Sequence, residues 1–129
     1  MSPAGFAKTD SQNESLFWEL ARPILANPGV SRSTMMGLPC LRYEGRFFAS
    51  FDRRAGAMLA KLSQQRVLEL VESRVGEKFS PAGRTFREWV ALPSPDRRRW
   101  RSVLREAERF ARRDQGPTLA RTSSRQGKR

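Results

Sequence analysis

The chain contains no histidine and a single cysteine, Cys40. Without histidine, a serine or cysteine nucleophile lacks its usual base, and few side chains titrate near neutral pH. Zinc sites built from cysteine and histidine are excluded, and a lone cysteine closes no disulfide within the chain. Cys40 sits in an apolar stretch, which suits an inert core thiol better than a reactive one. Long apolar runs are missing as well: residues 1–10 hold none of signal-peptide length, and nowhere do about 18 apolar residues follow one another. A soluble protein of the reducing cytoplasm, away from membranes, is the expectation. No glycine-rich phosphate loop is present, since Ser80–Arg84 has neither the spacing nor the lysine of one. The carboxylates Glu69, Glu72 and Glu88 have no evident partner for acid–base work. The expectation is therefore a non-enzyme that uses no metal or cofactor.

Negative charge is also scarce. Lys and Arg number 25 against 13 Asp and Glu, a net charge of +12, and no carboxylate follows Asp114. Arg121, Arg125, Lys128 and Arg129 belong to the tail, so +8 remains on residues 1–114. Such an excess favours an acidic partner, most often nucleic acid, although an arginine-rich surface can also serve only to keep a protein solvated.

Hydrophobic residues make up 38% of the 129, enough for one core and one domain. Residues 1–12 are small and polar and are expected to form a flexible N-terminus, ahead of a domain over 13–113. Leu16, Phe17, Leu20, Ile24 and Leu25 recur at helical spacing, and Pro23 should kink or end that helix. From Ser33 to Lys61 short apolar runs alternate with turns, the mark of an antiparallel meander with Glu44-Gly45 as a tight hairpin. Phe47 and Phe48 are adjacent and both apolar, which implies that the second sheet face is partly covered by a loop, a helix or another subunit. Ser63 can cap a second helix with Val67, Leu68, Val71 and Val75 as its buried stripe and Gly76 as its stop. A strand centres on Trp89. A third helix should follow, with Ser94 as N-cap, Pro95 in the first turn, and Trp100, Val103, Leu104, Ala107, Phe110 and Ala111 buried. Residues 114–129 read as a disordered basic tail. Together these elements describe an α+β fold: two layers, a mainly antiparallel sheet of about five strands, and three helices.

Four features then carry a family likeness: Met35-Met36-Gly37 before the first hairpin, Gly45-Arg46-Phe47-Phe48-Ala49, Lys78-Phe79-Ser80-Pro81-Ala82-Gly83-Arg84, and Glu88-Trp89-Val90. In order and spacing, the segment from Arg32 to Pro93 resembles the TfoX/Sxy N-terminal domain family, related in fold to the MmcQ/YjbR proteins. The resemblance implies a YjbR-like fold in which Met36, Gly37, Gly45, Phe48, Phe79, Pro81, Gly83, Glu88 and Trp89 are structural motif residues. It also implies a regulatory role, since relatives carry a DNA-binding label. The family's usual Phe-Gly-Gly is here Met36-Gly37-Leu38, one glycine short. Competence regulators of the family carry a second domain, so a competence role is not implied.

Candidate binding residues follow from charge placement. Arg97, Arg98, Arg99, Arg101, Arg105, Arg109, Arg112 and Arg113 crowd the third helix. With Arg121, Arg125, Lys128 and Arg129 they could neutralise phosphates of DNA or RNA, and contacts to about five or six phosphates would give a log–log salt slope of roughly −5. The competing reading is a solvated face partly offset by Glu106 and Glu108. Tyr43, Phe47, Phe48 and Phe51 among arginines look superficially like a base-stacking platform, but core packing explains them better. The leading expectation is weak, largely non-specific nucleic-acid binding through the third helix and tail. The alternative is a protein-interaction or self-association module, with an acidic protein or a second copy as partner.

Overall fold

The computed structural model describes residues 2–35 and 37–113, with side chains from Gln12 onward. Met36 and the basic tail over 114–129, including Arg121, Arg125, Lys128 and Arg129, lie outside the described residues.

The elements run α1 (Ser2–Leu25), β1 (Val30–Met35), β2 (Leu38–Tyr43), β3 (Arg46–Asp52), β4 (Ala57–Lys61), α2 (Gln64–Glu72), β5 (Glu77–Phe79), a 3₁₀ turn (Pro81–Gly83), β6 (Phe86–Leu92) and α3 (Arg97–Arg113). The six strands pair antiparallel throughout, in the order β1-β2-β3-β4-β6-β5. Phe17, Leu20 and Ile24 of α1, Val67 and Leu70 of α2, and Trp100, Val103 and Leu104 of α3 share one core with Phe51, Met58, Val90 and Leu92 of the sheet. This is the expected α+β class, with one strand more than expected. The added strand is β5, whose Glu77 and Lys78 carry no apolar alternation and whose three residues are too few to show a period.

Helix α1 starts at Ser2, well ahead of residue 13, where the fold was expected to begin. Pro3 falls in its first turn, where a missing N–H costs no intrahelical bond. At the other end the helix stops at Leu25, two residues past Pro23. Gly29 then turns the chain at φ 86°, and a Cβ there would stand 2.7 Å from the Tyr43 ring.

The hairpins follow their turn chemistry. Glu44 and Gly45 both take positive φ, 48° and 87°, as a two-residue primed turn requires. Between β2 and β3 the register slips: Leu41 faces Ala49, but the next residue, Arg42, faces Phe47. Phe48 is therefore an extra residue, a β-bulge. It is wholly buried in the core, while Phe47 pairs with Arg42 on the face that also bears Cys40, Ser50 and Leu59. The bulge accounts for the two adjacent phenylalanines. The middle of that second face (Cys40, Ser50, Ala57, Leu59) is buried within the single chain, so no second subunit is needed to cover it.

In α2, Ser63 Oγ accepts the Arg66 N–H at 3.2 Å, as an N-cap should. The buried side chains are Val67 and Leu70, whereas Leu68, expected in the stripe, is 51% exposed. Nor is Gly76 the stop: α2 ends at Glu72, and Arg74 already has φ 64°. What Gly76 supplies is room, because a Cβ there would lie 2.6 Å from Val90 Cγ2. Among the described residues no helix is long and apolar enough to cross a membrane.

Candidate nucleic-acid interface

Asp96, rather than Ser94, caps α3. Its Oδ1 accepts the Arg99 N–H at 3.0 Å and its carbonyl accepts the Trp100 N–H at 2.8 Å. A carboxylate satisfies the free donors of a first turn and suits the positive end of the helix dipole, so the helix begins two residues later than the serine would place it. Trp100, Val103, Leu104, Ala107, Glu108 and Ala111 are buried, while Phe110 is only half-buried. The far end is tied down by Arg46, whose Nη2 donates to the Ala111 carbonyl at 3.1 Å.

With that face fixed against the sheet, the arginines fall out by helical geometry. Arg98, Arg101, Arg105 and Arg109 step by three or four residues, are all exposed, and lie on the side opposite Trp100 and Ala107. At 1.5 Å per residue they span about 17 Å, and exposed Arg113 extends the row. Among the described residues no carboxylate lies within 4.0 Å of any of these five guanidinium groups. Exposed Arg99 sits to one flank. Arg97, on the other, bonds Glu19 of α1 at 2.7 Å.

The acidic residues of α3 turn sideways instead of offsetting the row. Glu106 accepts Arg66 Nε of α2 at 2.7 Å. Glu108, 7% exposed, accepts Asn27 Nδ2 at 3.0 Å and Arg112 Nη2 at 2.8 Å. Arg112 is thereby engaged, and its bond to Glu108 raises its pKa. Beside the row, Arg97 holds the Glu19 carboxyl below its ordinary value, first through the hydrogen bond and then through its charge, with Arg22 and Arg101 adding to the effect.

The aromatic platform does not assemble. Phe48 and Phe51 are buried, and a guanidinium group lies over each of the Tyr43 and Phe47 rings, that of Arg112 at 4.6 Å and that of Arg42 at 4.4 Å. Of the motif residues, Gly37 and Gly45 occupy turns at positive φ, Pro81 and Gly83 form the 3₁₀ turn, and the Phe79 ring lies 5.7 Å from Phe86. Glu88 pairs with Lys61 at 3.8 Å, and Trp89 faces Lys61 across the strands. Glu69 is bonded to Arg66, and among the described residues no three His, Cys, Asp or Glu side chains gather as metal ligands. Burial pushes the Cys40 thiol up, which keeps it protonated.

One feature escaped the sequence. A cleft of about 370 Å³ opens between α2 and β6, lined by Val67, Leu68, Lys78, Phe86, Arg87 and Trp89 among others. The only signal for it was that Leu68 and Leu70 cannot both face the core. Comparison with family models, curated proteins and solved structures gives no match for this chain.

Proposed function

We propose that this domain is a non-enzymatic regulatory module that binds nucleic acid weakly and with little sequence discrimination. The contact surface is the outward row Arg98, Arg101, Arg105 and Arg109 of α3, with the basic tail adding charge. The observation that supports this most is the absence of ion-pair partners for the row among the described residues. A guanidinium that is not tied to a carboxylate breaks no ion pair when it meets a phosphate, and the release of condensed counterions drives the association. Besides arginine the row offers only Ser102 and no Asn or Gln, so it lacks the side chains that read adenine bidentately. The motif likeness to TfoX/Sxy N-terminal domains supports the same direction and rests on the quoted residues alone.

Fluorescence anisotropy of a labelled duplex, at low and at physiological salt, tests the reading. Binding should be evident at low salt and weaken steeply as salt rises; no binding even at low salt would overturn it. Self-association has less support, because the Phe47-Phe48 pattern that suggested it has an intramolecular cause in the bulge.

A further inference from the structure

The two exposed large hydrophobic side chains among the described residues, Leu68 at 51% and Phe86 at 39%, both line the cleft between α2 and β6. At Leu68 folding does not require an apolar side chain. Helix α2 already buries Val67 and Leu70, so Leu68 could be polar without loss to the core. Opposite it stand Phe86 and half-buried Trp89, which make an apolar slot with an aliphatic wall and an aromatic wall. The charged residues of the lining are Lys78 and Arg87, and no carboxylate is among them. Arg84 adds a third cation, its guanidinium 5.6 Å from the Phe86 ring.

We infer that this cleft is a docking site for a short acidic peptide segment of a partner protein. A bulky apolar side chain would enter between Leu68 and Phe86, and a neighbouring carboxylate would meet Lys78 or Arg87. An apolar anchor in a pocket with a charged rim is how small protein interfaces concentrate their binding energy. A nucleic-acid strand fits less well. Exposed Glu72 lies one helical turn from Leu68, and exposed Glu77 precedes Lys78, so a continuous phosphate backbone would run against negative charge on both sides. A peptide with one or two carboxylates placed at the cationic rim avoids that conflict. The site is separate from the arginine row of α3, and either could exist without the other.

Selection of a phage-displayed library of random peptides on the full chain tests the inference. Enriched sequences should combine acidic residues with an aromatic or branched apolar one. The best of them, synthesised with a fluorescent label, should lose roughly tenfold or more in affinity with L68D and again with R87E. It should bind R101E/R105E as tightly as the original protein. Both cleft residues are exposed, so the variants should keep the wild-type circular dichroism spectrum, and F86S offers a second apolar change. Failure to enrich such peptides, or enriched peptides indifferent to L68D, F86S and R87E, would overturn the inference. So would displacement of the peptide by oligothymidylate whose own binding is lost in L68D, an outcome that would make the cleft a base-binding slot.

Discussion

Glu108 is the residue whose role the sequence concealed. It lies on the buried side of α3, and a carboxylate there is tolerable only because Asn27 and Arg112 donate to it. E108A should cost about 1–3 kcal/mol in urea unfolding, by removing the carboxylate to which the Asn27 amide and the Arg112 guanidinium both donate. Glu14 makes a pH-dependent contribution. The Arg53 hydrogen bond, at 2.8 Å, holds its carboxyl below the ordinary value, against a smaller opposing effect of desolvation. A depressed folded-state pKa stabilises above the unfolded value and is lost as pH falls through the folded one. The stability gap between wild type and E14Q should therefore be largest near neutral pH and shrink on acidification through the carboxylate range, which urea midpoints at several pH values would show. The pair is partly exposed, so the gap will be small. Periodicity made Trp100, Val103, Leu104, Ala107 and Ala111 legible as core, yet it could not identify Glu108, because its partner Asn27 is 81 residues distant in sequence.

At the scale of elements, the hydrophobic period located the helices and the meander, and local chemistry misplaced their ends. Ser94 and Asp96 are both competent caps by sequence, and the structure selects Asp96. D96A should cost about 1 kcal/mol of stability, whereas S94A should stay within about 0.5 kcal/mol. Gly76 reads as a helix stop, but its use is steric, since the neighbours of the missing Cβ, Val90 and Leu92, come from a strand about fifteen residues downstream. G76A should destabilise by about 1–3 kcal/mol through overpacking, whereas G37A meets nothing within 4 Å and suffers only from its positive φ. The bulge at Phe48 was invisible for a related reason. Adjacent Phe47 and Phe48 signal a break in alternation, but only the register against β2 shows that an inserted residue accompanies the covered second face.

For the whole molecule, the charge of +12 divides between the described body and the tail, and the body gathers part of its share on one side of α3. That arrangement was half-legible. Helical spacing groups Arg98, Arg101, Arg105 and Arg109, but whether Glu106 and Glu108 neutralise them depends on contacts with α2 and with the loop after α1. Both carboxylates prove to be drawn away, which leaves the row available to a polyanion. The direct test is the salt dependence of duplex binding for wild type and for R101E/R105E, read as the slope of log affinity against log salt. The account predicts a negative slope for wild type that becomes shallower by roughly 2 in the variant, together with weaker binding and an unchanged fold. Identical slopes and affinities for the two proteins would contradict it.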